Sequence, residues 1–226
     1  MNRSLQRRVA IRFLQLPLIT GVLLFPAAGT LRWWQGWLFI GVYFLGTLAL
    51  TVYLAVADPK LLERRMNAGP GAEKEKSQKI IMVAAMMSFA LTLVLPAIDH
   101  RLGWSHATGG VVILGNLLIL LGLLGVAWVF RENTFGASTI QVTEGQKVIS
   151  TGPYAIVRHP MYSAALVMLS GIPLALGSWW GLLTVITNVA VLAWRLLEEE
   201  RFLLRNLAGY SDYAQRVPHR LFPFVW

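Results

Sequence analysis

The chain alternates long apolar runs with short polar stretches. Six apolar runs cover roughly residues 11–30, 36–57, 79–98, 109–130, 161–177 and 179–195. A helix needs about 20 apolar residues to cross the ~30 Å hydrocarbon core of a bilayer, so the last two runs are short for a full span. Gly177 and Ser178 separate these two runs and predict a helical hairpin. The pattern predicts an all-α integral membrane protein with about six membrane helices, or with five full spans and a partial one.

The polar stretches contain weaker signals. In segment 58–78, two leucines beside Arg64 and Arg65 predict a short interfacial helix. Segment 131–158 has β-like alternation on both sides of Glu144-Gly145, which predicts a short hairpin. After the last run, the pattern predicts a cytoplasmic helix that ends at Gly209. Its predicted apolar stripe consists of Leu196, Leu197, Leu203, Leu204 and Leu207.

Charged and aromatic residues predict the orientation. Of the 20 Lys and Arg residues, only Arg32 and Arg101 fall in the loops that follow the first, third and fifth runs. The positive-inside rule therefore places both termini, segment 58–78 and segment 131–158 in the cytoplasm. Six tryptophans fall at the turns on the other side, where an interfacial belt is expected. They are Trp33, Trp34, Trp37, Trp104, Trp179 and Trp180.

Composition supports a multi-pass membrane protein, located in the inner membrane if the source is bacterial. Of the 226 residues, 56% are hydrophobic and only 14% are charged. The net charge of +9 raises nucleic acid as a partner, but the loop distribution explains that charge, so we expect no nucleic acid. The absence of cysteine excludes disulfides, thiolate chemistry and prenylation of the chain itself.

The polar residues with the clearest functional signal lie at the start of the fifth run. Arg158, His159 and Pro160 follow Gly152 and precede an unbroken apolar stretch. Proline fits the first turn of a helix, so a helix should begin here at the membrane edge. A helix start presents free N–H groups and a positive dipole end, which is a place to hold a ligand.

Three motifs carry a family resemblance. The chain reads G-P-Y-x-x-V-R-H-P-x-Y from Gly152, R-x-x-E-E-E from Arg195 and N-L-A-G-Y-S-D-Y-A-Q-R-V from Asn206. From about Arg131 to Trp226 the chain resembles the prokaryotic branch of the isoprenylcysteine carboxyl methyltransferase family. The resemblance divides the chain into N-terminal transmembrane helices, residues 1–130, and a cofactor-binding and catalytic region, residues 131–226.

The resemblance implies S-adenosylmethionine as cofactor and a lipophilic or lipidated acceptor. It implies Arg195 and Glu199 as catalytic residues, with Arg195 holding the acceptor carboxylate. The cofactor-binding residues that it implies are Gln141, Gln146, Lys147, Val148, Ile149, Tyr154, His159, Pro160, Met161, Tyr162, Glu198 and Glu199. Besides the acceptor, membrane lipids are the expected partners.

The residues alone leave alternatives open. Arg195 reads equally as the cap of a span with solvated glutamates after it, and His159 as a helix cap. The competing functions are N-methylation of a phospholipid amine, a sterol-type reductase that uses NADPH, and a transporter or assembly factor that is not an enzyme. An amine acceptor would require a general base, because an ammonium must lose a proton before it attacks.

We expect no bound metal. The four histidines are predicted to lie on different faces, and no cysteine supports them.

Overall fold

The computed structural model describes residues 3–73, 75–136, 138–142 and 145–226, with the side chains of Arg3 and Ser4 left aside. Lys74 and Glu144, which the sequence analysis uses, lie outside these ranges. The described α-helices are α1 (Arg3–Ala28), α2 (Trp34–Ala57), α3 (Pro59–Met66), α4 (Lys76–Leu102), α5 (Gly109–Glu132), α6 (Pro160–Ala175), α7 (Leu183–Asn206) and α8 (Tyr210–Arg216).

Within the described ranges, five helices are long and apolar enough to cross a membrane: α1, α2, α4, α5 and α7. The shortest have 24 residues, which rise about 36 Å. Helix α6 has only 16 residues, or about 24 Å. The prediction of an all-α fold with five long helices and a partial one is confirmed.

Small residues let α5 and α6 pack in direct backbone contact. A Cβ atom on Gly115 would lie 2.1 Å from the backbone nitrogen of Ala175, and one on Gly171 would lie 2.6 Å from the Gly115 carbonyl oxygen. Side chains would hold the helices apart at both places, as is common where membrane helices pack closely. The predicted hairpin forms after α6, where Gly177 turns the chain with φ at +76°. The backbone contact between α5 and α6 fixes the start of α6 against the end of α5.

Hydrogen bonds between buried side chains set the register of α4 against α7. Ser88 Oγ donates to Asn188 Oδ1 at 2.8 Å, and Asn188 Nδ2 donates to Thr92 Oγ1 at 2.9 Å. Such bonds between membrane helices contribute about 0.6 kcal/mol on average. They also determine which residues of α4 face Arg195 on α7.

One end of the bundle, here called the tryptophan end, is closed by a buried carboxylate. Asp99 is 1% exposed and accepts hydrogen bonds from the backbone and hydroxyl of Ser105 and from the Ser178 hydroxyl. The five exposed tryptophans near it are Trp34, Trp37, Trp104, Trp179 and Trp180. Trp33 differs from the predicted belt: it is buried and stacks on His100, with ring centroids 4.7 Å apart.

The opposite end, here called the motif end, contains Arg158, His159 and Pro160. Segment 58–78, segment 131–158 and the C-terminal tail meet there. Segments 58–78 and 131–158 meet where the Arg64 guanidinium donates to the Thr134 carbonyl. The predicted short helix in segment 58–78 is present as α3, with Leu61 and Leu62 buried. The predicted hairpin in segment 131–158 is wrong for the part that the structure describes, since residues 138–142 and 145–150 contain no strand. The backbone there finds other partners: the Ile140 N–H faces the Glu73 carboxylate.

Helix α7 runs without a break through Arg195 to Asn206, but its buried face differs from the predicted leucine stripe. Leu196 and Leu207 are buried, whereas Leu197 is 36% and Leu204 is 54% exposed. Glu200 takes a buried place, with 8% exposure. The stripe prediction is right for Leu196 and Leu207 and wrong for Leu197 and Leu204. Glu200 joins the buried face because it lies one turn after Leu196 and has charged partners there.

Candidate functional site

Glu200 is the centre of a group of charges at the motif end. Its carboxylate accepts a hydrogen bond from Arg158 Nε at 2.7 Å and another from Arg220 Nε at 2.9 Å. His159 Nε2 lies 3.3 Å from the same carboxylate. Removing one partner of a buried ion pair leaves an uncompensated charge, which costs about 3–5 kcal/mol. Glu200 therefore holds the start of α6 and the C-terminal tail against α7.

Arg158 extends this attachment to the backbone of the tail. Its Nη1 donates to the carbonyls of Ala214, Val217 and Pro218 at 3.0 to 3.1 Å. The backbone N–H of His159 donates to the Arg220 carbonyl at 3.0 Å. The helix start was expected to present free N–H groups, but the N–H groups of Arg158 and His159 are used by the tail. His159 thus caps α6 with its backbone while its ring remains beside the other site residues.

Tyr162 connects α6 to the acidic cluster of α7. Its hydroxyl donates to the Glu199 carboxylate. The His159 ring stacks on the Tyr162 ring, with centroids 5.6 Å apart and planes at 17°. A carboxylate beside two aromatic faces is a suitable environment for a cation. The structure therefore brings together three of the residues that the resemblance implies for the cofactor.

Tyr154 lies in a short 3-10 helix, Gly152–Ala155, next to this group. Burial raises the pKa of its phenol to about 12, although the hydrogen bond from Asn133 Nδ2 at 2.8 Å lowers it. Tyr213 donates to the Tyr154 carbonyl at 2.8 Å. Tyr154 is therefore neutral and held in place from α5 and from α8.

Arg195 is buried, and its guanidinium already has partners. Nη2 donates to Glu73 Oε1 at 2.7 Å and to the Ser138 carbonyl at 2.9 Å, and Nη1 donates to Gln78 Oε1 at 3.2 Å. The Glu73 side chain is 2% exposed. Arg195 thus joins α7 to segment 58–78 and to segment 131–158.

Arg65 on α3 is a second cation at the same place. Burial lowers its pKa and so does the charge of Arg195, while Tyr162, Tyr154 and Glu199 act in the opposite direction. Its guanidinium also lies over the Phe130 ring, 5.1 Å from the centroid. These interactions place Arg65 beside the residues of the candidate site.

The remaining residues implied by the resemblance differ in their burial and their contacts. Val148 packs with Tyr154 against α8, so Val148 lies next to the Tyr154 side of the site, and Gln146 is half-buried. Gln141 and Ile149 are half-buried, and Lys147 is exposed. Pro160 begins α6 and is buried, and Met161 packs against the buried leucines of α3. Glu198 pairs with the exposed Arg201 at 2.7 Å and does not join Glu199 at Tyr162.

Sequence reasoning missed Glu73, Gln78, Arg65 and Glu200. No local pattern distinguishes Glu73, because it lies in an irregular loop. Glu200 had a usable signal, since it follows a buried leucine at a spacing of four residues. The other three are recognisable only after the loop is placed against α7.

An apolar groove lies outside the group. A groove of about 420 Å³ between α5, α6 and the tail is lined by Gly125, Trp128, Pro160, Ser163 and Leu221. Its lining includes neither Tyr162 nor Glu199, so the groove is separate from the charged site. In the described ranges, no group of three or more His, Cys, Asp or Glu residues is placed to hold a metal ion.

We predict that Glu200→Gln releases the tail. The substitution removes the negative charge that Arg158 and Arg220 share, so the free energy of unfolding should fall by about 3 kcal/mol. Trypsin should then cut after Arg216 and Arg220 faster than in the wild type. Glu63→Gln is the control, because it removes only the exposed pair with Arg8, which contributes little. Equal cleavage rates in both variants would contradict the role given to Glu200.

Comparisons with known proteins match parts of the chain. Residues 111–209 match the family model described as phospholipid methyltransferase. The cobalt-zinc-cadmium resistance protein CzcN of Cupriavidus metallidurans is 32% identical over 108 residues, which are 45% of this chain and 48% of that protein. The chain thus spans about half the length of that relative.

Two enzymes are also similar. The delta(14)-sterol reductase TM7SF2 of Mus musculus is 28% identical over 49% of this chain and 30% of its own length. The protein-S-isoprenylcysteine O-methyltransferase B of Arabidopsis thaliana is 27% identical over 66% of this chain and 75% of its own length. Together with the family-model match, this plant relative confirms the resemblance to the isoprenylcysteine carboxyl methyltransferase family that the motifs of the C-terminal half predict.

Proposed function

We propose that the protein is a membrane methyltransferase that uses S-adenosylmethionine and methylates the carboxylate of a lipophilic, isoprenylcysteine-like acceptor. The observation that carries this proposal is the grouping of Tyr162, Glu199 and Arg195. The Tyr162 hydroxyl donates to the Glu199 carboxylate, and Arg195 lies one turn before Glu199 on the same face of α7. These are the residues to which the resemblance assigns cofactor and acceptor.

The donor set suits the cofactor. S-adenosylmethionine carries a sulfonium and an ammonium group, and it supplies an activated methyl group when bound. The Glu199 carboxylate balances positive charge, and the Tyr162 hydroxyl fixes the orientation of that carboxylate. The stacked rings of Tyr162 and His159 add an aromatic surface, to which cations are attracted. Tyr154, which packs with Val148 against α8, is the further contact that the resemblance implies for the cofactor.

A carboxylate acceptor asks little of the protein beyond alignment. It is already ionised and nucleophilic at neutral pH, so no general base is needed. Methyl transfer is an in-line displacement, whose rate depends mainly on the position of the two reactants. The role proposed for Arg195 is to hold the acceptor carboxylate at the membrane edge, where a prenyl or acyl chain can stay in lipid.

N-methylation of a phospholipid amine is the second candidate, because the matching family model is described as phospholipid methyltransferase. An amine would need a base to remove a proton before attack. His159 is a candidate for that base, but its Nε2 lies 3.3 Å from Glu200. This orientation favours the carboxylate acceptor.

We predict opposite losses in two variants of α7. Arg195→Lys keeps the charge and loses the planar fork, so methylation of N-acetyl-S-farnesylcysteine should fall roughly tenfold to a hundredfold while S-adenosylmethionine still binds. Glu199→Gln should instead lower the affinity for S-adenosylmethionine by a similar factor. Both constants can be measured on protein purified in detergent.

Arg205→Lys is the control for the first variant, because Arg205 is an exposed arginine of the same helix. Full activity of Arg195→Lys on the carboxylate would contradict the role of Arg195. Wild-type protein that methylates only phosphatidylethanolamine would replace the carboxylate acceptor with the amine.

We also propose that the motif end and both termini are cytoplasmic, on the basis of the basic residues in segments 58–78 and 131–158 and in the tail. Gly71 belongs to the motif end, and Gly103 follows α4 at the tryptophan end. Reporter fusions after Gly71 and after Gly103 should therefore report opposite sides of the membrane, with Gly71 inside. The same side for both fusions would overturn this orientation.

A further inference from the structure

The hydrogen bonds of Arg195 close both of its carboxylate-binding forks. A guanidinium binds a carboxylate bidentately either through Nη1 and Nη2 or through Nε and Nη2. Both N–H bonds of Nη2 are in use, one to Glu73 Oε1 and one to the Ser138 carbonyl. A bidentate acceptor therefore has to displace one of these partners first.

Glu73 is the partner whose chemistry matches the acceptor. Its carboxylate is buried, and each oxygen has a partner. Oε1 pairs with the Arg195 guanidinium, and Oε2 lies 3.4 Å from the Ile140 backbone nitrogen. The Ser138 carbonyl and Gln78, by contrast, are neutral. Glu73 thus holds the position that a substrate carboxylate would need.

The position of Glu73 in the chain allows it to leave without unfolding the bundle. On one side, α3 is anchored by Leu61 and Leu62, which are 0% and 3% exposed. On the other side, α4 begins at Lys76. Between them, Gly69 has φ at +108° and Gly71 is exposed, and neither glycine has a neighbouring atom within 4 Å of where a Cβ atom would lie. The backbone at Gly69 and Gly71 therefore has room to move, while α3 and α4 stay in place.

We propose that Glu73 is a specificity-determining residue that occupies Arg195 until the carboxylate of an acceptor replaces it. This inference rests on the proposed function of Arg195. The exchange swaps one carboxylate for another, so the buried guanidinium is never left without a negative partner, a state that would be costly. An acceptor without a negative charge cannot replace the carboxylate of Glu73, so Arg195 stays paired with Glu73. Glu73 in this way selects anionic acceptors and excludes neutral analogues of the same chain.

The first test compares Glu73→Gln with Glu75→Gln. The glutamine at position 73 keeps the size and hydrogen-bonding atoms but competes less well for a guanidinium. The KM for N-acetyl-S-farnesylcysteine should fall about tenfold, while the Kd for S-adenosylmethionine stays the same. Glu75 is an exposed carboxylate of the same loop, so Glu75→Gln should change neither value. A raised KM, or an unchanged KM with a lower kcat, in folded Glu73→Gln protein would make Glu73 a structural partner and overturn the proposal.

The second test uses the wild type and does not depend on a variant that folds. Hydrogen exchange is measured over residues 67–73 with S-adenosylhomocysteine present, and N-acetyl-S-farnesylcysteine is then added. Ligands usually slow exchange, but displacement of Glu73 should make this segment exchange faster. The matched ligand is the carboxamide of the same compound, which should leave exchange unchanged. Slower or unchanged exchange with the carboxylate would overturn the proposal.

The two levels of failure are distinguishable. If the wild type methylates N-acetyl-S-farnesylcysteine but neither test responds at Glu73, the role of Glu73 is wrong and the proposed function stands. If the wild type does not methylate this carboxylate at all, the proposed function fails, and the role of Glu73 fails with it.

Discussion

Two buried charges on α7 hold the segments of the motif end together. Arg195 and Glu200 lie in the second half of the long helix α7, and each is almost fully excluded from solvent. A buried charge is tolerated only with a partner of opposite sign and good hydrogen bonds. Arg195 finds Glu73 from the loop before α4, and Glu200 finds Arg158 and Arg220. These two demands draw segment 58–78, the start of α6 and the tail to the same end of the bundle.

The bundle itself supplies the geometry in which these pairs form. The glycine contact between α5 and α6 sets the depth of the α6 start, and with it the position of His159 and Tyr162. The bonds between Asn188 and α4 fix how α7 is rotated and shifted against that helix. Glu199 then reaches Tyr162, one turn beyond Arg195. The arrangement places a carboxylate, two aromatic rings and a guanidinium side by side, which are the groups that a cationic methyl donor and an anionic acceptor require.

Much of this architecture can be read from the sequence, because it follows from hydrophobicity and local turn chemistry. The apolar runs predict the five long helices and the short α6, and Pro160 marks where α6 begins. The motif residues on α6 and α7 predict which side chains meet. The partners of Arg195 and Glu200 were missed because they depend on contacts between distant segments: Glu73 lies 122 positions from Arg195. The hairpin expected around Gly145 failed for a similar reason, since the backbone of Ile140 faces a side chain of another segment. The buried Trp33 shows the same limit, because stacking on His100 takes it out of the interfacial belt.

The group around Tyr162, Glu199 and His159 is proposed to bind S-adenosylmethionine. Calorimetric titration of the purified wild-type protein in detergent with S-adenosylmethionine, and separately with NADPH, tests it most directly, since a sterol reductase is among the similar proteins. We expect saturable binding of one S-adenosylmethionine per chain, competition by S-adenosylhomocysteine and no binding of NADPH. Saturable binding of NADPH without any binding of S-adenosylmethionine would contradict it.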